Sequence, residues 1–216
     1  MEQRKNEEYE KLLSQARFLA LQSQINPHFL FNTLNSINRT VMLGRREQAL
    51  TMLDSLSVLL RYNLADAQMP ALLGEELGIT EEYLKIQKMR FSSRLNVDVR
   101  HDRKLEQAVT LPRFTLQPLV ENAVIHGLEP KEEGGTLILD VRKTGNYIRI
   151  RICDNGMGIE RKRLERIRRR LSEKQPERIG VWNIWQRLSL YTGRDDSLKI
   201  MSKKGAGTIV SIYLHR

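Results

Sequence analysis

The chain of 216 residues is long enough for one large domain or two small ones that each bury a hydrophobic core. Apolar residues make up 40% of it and charged residues 29%, and no apolar run approaches the roughly 18 residues of a membrane span, so we expect a soluble globular protein without membrane contact by this segment. The net charge of +10 raises the question of a nucleic-acid partner. However, the densest basic run, residues 160–178, interleaves acids with bases and lacks aromatic residues for stacking on bases, so we expect no nucleic-acid partner.

Residues 1–43 show the pattern of one long amphipathic helix. Its seam follows alternating four- and three-residue steps, as in a coiled coil or helix bundle, at Leu12, Ala16, Leu19, Ser23, Asn26, Leu30, Thr33, Ile37 and Thr40. Pro27 interrupts this pattern, although a proline inside a helix costs roughly 3 kcal/mol or more, and the titratable ring of His28 follows directly. Packing alone does not explain this combination.

A short glycine-containing turn at residues 43–46 leads to a second amphipathic helix, which ends at residues 66–70. The predicted buried side of this helix carries Leu50, Leu53, Leu56, Leu60 and Leu64. Two long helices joined by a tight turn form a helical hairpin, and such a hairpin cannot bury both of its apolar faces alone. Pairing of two copies into a four-helix bundle is the simplest solution, so we expect a homodimer.

The rest of the chain mixes helices with strands. The patterns predict helices at 74–91, 112–127 and 180–192 and in the basic stretch, and strands at 95–100, on both sides of Thr144–Asn146, near 197–202 and at 207–214. Pro112 is expected in the first helical turn and Gly127 at the end of its helix. The order predicts an α/β sandwich with helices on one face of a sheet. The fold class is therefore α+β, with a hairpin domain at 1–72 and a second domain at 73–216.

The first motif that bears chemistry is ENAVIHG, residues 121–127. Asn122 and His126 are four residues apart and therefore share one face of a helix. An amide oxygen suits Mg²⁺, which takes oxygen ligands and shares its coordination with substrate phosphates. An imidazole one turn later is placed to flank a base or a phosphate. A buried helix with an ordinary polar pair explains this motif equally well by itself.

The second motif is CDNGMGI, residues 153–159. Asp154 ends a predicted strand, and Gly156 and Gly158 allow the main chain to turn closely against a flat or charged group. A buried aspartate there can accept a hydrogen bond from an exocyclic amine such as that of adenine, although Asp-Asn-Gly is also a common turn sequence. Farther on, Gly180 opens a helix whose N–H groups suit phosphate, and Thr208 enters the last strand.

Taken in order, these motifs resemble the ATP-binding domain shared by histidine kinases, gyrase-type ATPases and Hsp90, over roughly residues 75–216. The stretch QSQINPHFLFNTLNSI (22–37) resembles the phosphoacceptor segment of the LytS/YesM-like sensor histidine kinases, and the match continues through LLRYNL (59–64) and EEYLKIQKMRF (81–91). The resemblance implies a protein histidine kinase that uses ATP and Mg²⁺. It also implies a homodimer that passes a phosphoryl group to the aspartate of a response-regulator receiver domain.

The resemblance also implies roles for individual residues. His28 would be phosphorylated, Asn122 would bind Mg²⁺ and Asp154 would recognise adenine, with a lid over the phosphates at roughly 157–185. The other nucleotide-binding residues are expected to be His126, Gly156, Gly158, Gly180 and Thr208. We add Asn32, one turn after His28, as the residue that orients the imidazole, and Glu121 as a third catalytic candidate.

Two positions depart from related sequences. The protein-serine kinases that restrain sigma factors and the gyrase-type ATPases carry a glutamate as general base four residues before the asparagine, where this chain has Pro118. A water or hydroxyl nucleophile needs such a base and a neutral imidazole does not, which favours a histidine kinase. In the lid, Arg178 replaces the first glycine of the family's Gly-x-Gly, and it either limits lid closure or adds a phosphate ligand.

Two alternatives to a histidine kinase remain open. One is an enzyme of the same fold with another outcome, such as a phosphatase-biased transmitter or an ATPase. The other is a non-catalytic scaffold that binds ATP and whose lid no longer closes. The family normally has a sensor and membrane spans ahead of such a core, so we expect part of a longer, membrane-anchored protein. The single Cys153 fits a reducing compartment and therefore a cytoplasmic location.

Overall fold

The computed structural model describes residues 27–63, 69–174 and 180–215. Two compact units divide the chain, at residues 1–65 and 66–216. The functional division into domains 1–72 and 73–216 stays a prediction. The predicted seam positions from Leu12 to Asn26, together with Leu64 and Arg178, lie outside the described residues. Within the described ranges, no helix is both long and apolar enough to cross a membrane.

The first unit is a helical hairpin, as the sequence predicts. Helix α1 (Pro27–Met42) and helix α2 (Arg46–Asn63) are joined by a turn in which Gly44 has a φ of 71°, a left-handed conformation that glycine adopts without strain. The N–H of Leu43 donates to the carbonyl oxygen of Arg39 at 3.1 Å, which closes the last turn of α1.

The hairpin buries one side of each helix against the other. Its buried residues are Phe29, Thr33, Ile37, Ala49, Met52, Ser55, Leu56, Leu59 and Asn63. The predicted burial of Leu56 is confirmed within one hairpin, whereas Leu50 and Leu53 are 50% and 41% exposed there, so their predicted burial depends on a second copy of the chain. The predicted leucines drift around the helix, and α1 covers only the face that carries Met52 and Leu56.

The second unit is an α/β sandwich. Its strands are β1 (Ala71–Leu72), β2 (Leu95–Arg100), β3 (Thr110–Leu111), β4 (Gly135–Thr144), β5 (Tyr147–Asp154), β6 (Leu198–Lys203) and β7 (Gly207–His215). Its helices are α3 (Leu73–Phe91), α4 (Arg103–Glu106), α5 (Leu116–Asn122), α6 (Arg161–Ser172) and α7 (Gly180–Thr192), with a π-helical segment at Ala123–Leu128 and 3₁₀ turns at Ser92–Arg94 and Asp195–Ser197. The short elements α4, β1 and β3 were not predicted from the sequence.

The main sheet has the strand order β2-β4-β5-β7-β6. Strand β2 runs parallel to β4 and the other neighbours are antiparallel, with β4 and β5 joined by the predicted hairpin. Along β5, Ile148, Ile150 and Ile152 are buried on one face of the sheet and alternate with half-buried residues on the other. This alternation places the helices and the hydrophobic core on one face.

The helix predicted at 112–127 begins later than expected. Pro112 lies outside α5, so its predicted position in the first helical turn is wrong. Phe114 has a φ of 59°, which interrupts a helical path, and its N–H donates to the buried Glu76 carboxylate at 2.7 Å. The last turn, through Gly127, is π-helical.

Candidate functional site

A cavity of about 290 Å³ lies between α5, the π-helical segment, strands β5 to β7, and helices α6 and α7. Six of the seven nucleotide-binding residues predicted from the sequence line it: Asn122, His126, Asp154, Gly158, Gly180 and Thr208. Small-molecule sites measure about 300–1,000 Å³, so this cavity has the size of a site for a nucleobase with its immediate neighbours. The seventh residue, Gly156, contacts the site from outside the lining by donating its N–H to Asp154.

Asp154 is the acidic residue of the cavity lining. It ends β5, is 9% exposed, and accepts the N–H of Gly156 at its Oδ1 over 2.9 Å. Burial raises the pKa of the Asp154 carboxyl above its ordinary value, and hydrogen bonds from the main-chain N–H groups of Gly156 and Thr208 oppose that rise. The cavity therefore contains a desolvated acceptor that the main chain holds in one orientation.

Three glycines allow the main chain to pack closely around Asp154. A Cβ atom at Gly127 would lie 2.8 Å from Asp154 Oδ1, and one at Gly156 would lie 2.1 Å from the carbonyl oxygen of Gly127. Gly207 has a φ of 105°, and a Cβ atom there would lie 1.9 Å from the carbonyl oxygen of Asp154. Larger residues would therefore displace the ends of β5 and β7, so these glycines are needed for the shape of the site.

Asn122 and His126 reach the cavity from consecutive turns of one helix. Asn122 ends α5, and the π-helical segment follows at once, with the N–H of Glu129 donating to the carbonyl oxygen of Val124 at 2.8 Å. Such π-turns are frequent at functional sites. The shared face expected for the two residues is retained, because both line the cavity.

The other walls of the cavity are mostly apolar and were not predicted from the sequence. They are formed by Leu119, Ala123, Ile152, Ile159, Ile167, Val181, Ile200 and Val210. Ile152, Ile200 and Val210 lie on the core faces of β5, β6 and β7, so the alternation of these strands is the signal that identifies them. Apolar walls around one oriented acceptor suit a flat heteroaromatic ring.

Arg163 is the basic residue of helix α6 that lines the cavity within the described part of the chain. Two other basic residues of this region form their contacts outside the cavity lining. The guanidinium of Arg168 donates to the carbonyl oxygen of Ile200 at 2.6 and 3.1 Å, and Lys174 Nζ lies 2.9 Å from Asp195 Oδ2. The sequence did not indicate which arginine of α6 lines the cavity, because that depends on which side of the helix faces it.

Glu121 is not among the described residues that line the cavity. Its Oε1 accepts a hydrogen bond from Gln117 Nε2 at 2.9 Å. Burial raises the pKa of the Glu121 carboxyl, and the hydrogen bond from Gln117 opposes that rise. Although Glu121 is adjacent to Asn122 in sequence, the two side chains point in different directions around the helix, and the catalytic role of Glu121 stays a prediction.

The donor set of the site suits a metal that arrives with its ligand. Across the described ranges, no cluster of three or more His, Cys, Asp or Glu side chains is arranged to hold a metal ion. Asn122, the predicted Mg²⁺ ligand, lines the cavity with an amide group. Since Mg²⁺ keeps several waters and binds substrate phosphates, a single protein oxygen is compatible with a Mg²⁺–nucleotide complex.

In the hairpin unit, His28 is exposed on α1, next to the buried Phe29. Asn32 Nδ2 lies 3.1 Å from His28 Nε2 and 3.4 Å from Nδ1. Which ring nitrogen accepts the amide hydrogen depends on the tautomer of the imidazole. The contact between the two predicted catalytic residues is thus present.

Two family models match this chain. One, described as histidine kinase, covers residues 16–95, and the other, described as histidine kinase-, DNA gyrase B-, and HSP90-like ATPase, covers residues 108–216. The sensor histidine kinase YesM of Bacillus subtilis (strain 168) is 35% identical over 209 residues, which are 97% of this chain and 35% of YesM. The sensor protein LytS of Oceanobacillus iheyensis is 35% identical over 214 residues, 97% of this chain and 36% of LytS.

Among solved structures, the histidine kinase domain of the blue-light activated histidine kinase of Erythrobacter litoralis EL346 matches 90% of each chain at 18% identity, with a TM-score of 0.48. The chain spans about a third of the length of the curated relatives named above. The range matched by the ATPase model contains the whole cavity, and the range matched by the histidine kinase model contains His28. The chain therefore belongs to the sensor histidine kinases of the LytS/YesM type, and its residues 108–216 to the histidine kinase-, DNA gyrase B- and HSP90-like ATPases.

Proposed function

We propose that this chain binds ATP in the cavity, transfers the γ-phosphoryl group to His28, and passes it to an aspartate of a response-regulator receiver domain. The observation that carries this proposal is that six residues assigned to the nucleotide by sequence motifs line one cavity. The contact of His28 with Asn32 supports the choice of acceptor. Because ATP is the donor, we place the activity in the cytoplasm.

The cavity suits the adenine base of ATP. Asp154 would accept a hydrogen bond from the exocyclic amine, and hydrogen bonds to an ionised acceptor are roughly twice as strong as neutral ones. Ile152 and Val210 would cover the ring. Arg163, together with the main-chain N–H of Gly158, is our candidate for the phosphates, since a guanidinium binds phosphate oxygens in pairs.

We assign Asn122 as the protein ligand of Mg²⁺, with His126 beside the nucleotide on the same side of the cavity. A bound Mg²⁺ would neutralise charge on the phosphates. The lone amide oxygen fits an ion that takes its remaining ligands from water and phosphate. Asn122 therefore has to be held at a defined place and rotation.

His28 acts as the nucleophile in the proposed reaction. The unprotonated ring nitrogen attacks the γ-phosphorus, a P–N bond forms, the P–O bond to the leaving ADP breaks, and the ring proton stays on the other nitrogen. Positioning and charge neutralisation supply most of the catalysis in such transfers. A neutral imidazole needs no general base, in agreement with Pro118 at the position where related enzymes have a glutamate.

We further propose that the hairpin forms a homodimer. It leaves a set of large apolar side chains exposed: Phe31, Leu34, Val41, Met42, Leu43, Leu50, Leu53 and Val58. Single exposed apolar residues are common, but a set of this size on one small unit is typical of an interaction surface. Two hairpins in a four-helix bundle would bury it.

The test is incubation of the chain with Mg²⁺ and γ-labelled ATP. We expect the unchanged chain to become labelled, and this label should be stable in alkali and lost in acid. His28→Ala and Asn122→Ala should take up no label. His215→Ala is the matched control, because His215 is an exposed histidine at the end of β7 and is not among the cavity-lining residues. Labelled protein should then lose its label to a receiver domain and not to a receiver whose acceptor aspartate is replaced.

Label that persists in His28→Ala would move the acceptor elsewhere and contradict the central assignment. An unlabelled chain that still binds ATP would favour the phosphatase-biased transmitter or the scaffold. Arg178→Gly, which restores the glycine of the family pattern, then separates the two, since regained labelling identifies a lid defect.

A further inference from the structure

A buried carboxylate that does not line the cavity binds the start of helix α5. Glu76 of α3 is 1% exposed. Its Oε1 accepts the N–H of Phe114 at 2.7 Å, and its Oε2 accepts the N–H groups of Thr115 at 2.9 Å and Leu116 at 2.8 Å. The N–H groups at a helix start have no partner within the helix and are usually capped by a nearby side chain. Here a residue about forty positions earlier in the chain binds the N–H groups of the N-cap residue Thr115 and of the first helical residue Leu116, and that of Phe114 just before them.

The same segment is also bound by helix α7, whose first residues belong to the predicted lid. Arg187 of α7 donates to the carbonyl oxygen of Phe114 at 2.6 Å. Phe114 has a φ of 59°, which is unfavourable for a residue with a side chain, and its ring is buried. Such a conformation persists only where the surroundings impose it, and it is found preferentially at functional sites.

The start of α5 determines the orientation of Asn122. An α-helix turns about 100° and rises about 1.5 Å per residue, so a start displaced by one residue would rotate the Asn122 side chain by more than a quarter turn. The π-helical hydrogen bond from Glu129 to Val124 changes the helical register directly after Asn122. Asn122 is therefore joined by regular α-helix only to the start of α5, which is the end that Glu76 binds.

We propose that Glu76 is a positioning residue for the nucleotide site, which acts through α5 on Asn122, with Arg187 as its counterpart from α7. The inference rests on the proposed binding of Mg²⁺ and ATP in the cavity. It extends that function by assigning control of the Mg²⁺-dependent part of binding to a buried residue outside the cavity lining. It also connects helix α7 to the residue that holds the metal.

The decisive variant is Glu76→Gln in the full chain. Glutamine has nearly the same size as glutamate, but one of the two accepting oxygens is replaced by an NH₂ group. That NH₂ group is a donor and would face a main-chain N–H, which is also a donor, so the three hydrogen bonds cannot all form. We expect the dissociation constant for ATP with Mg²⁺, measured by calorimetry, to rise about tenfold or more, and that for ATP without Mg²⁺ to change less than about threefold. A general loss of folded protein would affect both constants equally.

Two controls separate positioning from a structural effect. Glu75→Gln removes the neighbouring carboxylate, which accepts the N–H of Leu72 at 3.0 Å and lies 3.6 Å from Arg113, and leaves the N–H groups of α5 unchanged. Ile150→Val removes one methylene from a fully buried position of β5 that does not line the cavity. We expect both to bind ATP with and without Mg²⁺ as the unchanged chain does, even where thermal unfolding shows that Ile150→Val is as destabilised as Glu76→Gln.

A second variant decides the question if Glu76→Gln does not fold. Arg187→Gln removes the donor to Phe114 from the other side, and we expect a loss of Mg²⁺-dependent affinity of about threefold to tenfold. Trp182 and Trp185 of α7, whose ring centroids are 4.8 Å apart, give a near-ultraviolet dichroism signal that verifies the packing of α7 in this variant.

Unchanged Mg²⁺-dependent affinity in folded Glu76→Gln, or in Arg187→Gln, would overturn the positioning role and leave the proposed function intact. An equal loss in Ile150→Val at matched stability would also overturn it. An unchanged chain that does not bind ATP at all would overturn the proposed function, and this inference with it.

Discussion

The two units of the chain treat their apolar side chains differently. The hairpin exposes eight large apolar side chains within residues 27–63, from Phe31 to Val58. The α/β unit is almost four times as long in its described part and exposes six, from Met69 to Met201. Its sheet and helices enclose residues such as Leu139 and Ile150 completely. The α/β unit thus has a closed core of its own, whereas two helices have a single mutual interface.

This difference in buried apolar surface means that the two units depend on a second chain to different degrees. A closed core makes the stability of the α/β unit a property of one chain, so its site can be assembled without a partner. A hairpin with one buried side would gain stability if another copy covered the other side, as proposed, and its stability would then depend on protein concentration. Four predictions test this contrast, from the largest expected effect to the smallest.

The largest effect is expected on the exposed apolar surface of the hairpin. Leu50→Glu combined with Leu53→Glu should convert a dimer into a monomer, because two carboxylates of each protomer would be desolvated in the proposed bundle, at about 2 kcal/mol or more each. Sedimentation equilibrium should show a dissociation constant raised by at least about 100-fold.

Met201→Glu is the control from the α/β unit, since Met201 is 54% exposed on β6. It should leave the oligomeric state unchanged. A dimer that survives the double substitution and is lost with Met201→Glu would reverse the contrast between the units.

One glycine in each unit allows the same substitution to be compared. Gly207→Ala places a Cβ atom 1.9 Å from the carbonyl oxygen of Asp154 at a φ of 105°, and should lower the free energy of unfolding by about 3 kcal/mol or more, since strain and a main-chain clash add. Gly44 also has a positive φ, but a Cβ atom there would have no other atom within 4 Å. Gly44→Ala should therefore lower the free energy of unfolding by about 1 kcal/mol. Urea unfolding measures both, and equal losses would refute the role of close packing around Asp154.

The comparison also shows how far the sequence determines the fold. Alternation along β4 and β5 and the turn between them predicted that part of the sheet, because one face of each strand is buried and a hairpin is a local structure. The start of α5 was not predictable, since Glu76 binds it from about forty residues away. Which leucines of α2 are covered within one hairpin was not predictable either, because it depends on the face that α1 contacts.

The candidate site was predictable to the extent that its residues belong to local motifs. Glycines around Asp154 and the pair Asn122 and His126 carry their signal within a few residues. Arg163 and the apolar walls come from seven helical and strand elements and from the segment after β5, so only tertiary packing brings them together. Glu121 was expected at the site because it is adjacent to Asn122 in sequence, but adjacent residues of a helix point about 100° apart.

The third prediction concerns the division of chemistry between the units. Asp154→Asn should weaken ATP binding about 10- to 100-fold, because a hydrogen bond to a charged acceptor is worth about 1.5–3 kcal/mol. In the unchanged chain, affinity should fall on acidification at a higher pH than for an ordinary aspartate, since burial raises the pKa of the Asp154 carboxyl and the protonated form loses the charged acceptor. Calorimetric titrations over a pH series measure both effects.

Asp54→Asn in the hairpin is the control for that prediction. Asp54 is exposed on α2, and its substitution should leave ATP affinity and its pH dependence unchanged. Equal losses in Asp54→Asn and Asp154→Asn would show that nucleotide binding is not confined to the α/β unit.

The smallest effect is expected for Glu121→Gln, which tests whether the closed α/β unit includes a destabilising buried charge. Burial raises the pKa of this carboxyl above its ordinary value of 4.5, so ionisation is less favourable in the folded chain than in the unfolded one. The contribution of Glu121 to the stability of the unchanged chain should therefore decrease as the pH rises from below 4.5 through the raised pKa. The glutamine keeps an oxygen that accepts the hydrogen bond from Gln117 but carries no charge. The free energy of unfolding of the variant should therefore be higher than that of the unchanged chain at pH 7, by less than the cost of Gly44→Ala. Near pH 3 the two free energies should be equal. Urea unfolding at both pH values measures this difference, and a variant that is less stable at pH 7 would show that the hydrogen bond from Gln117 outweighs the desolvation of the charge.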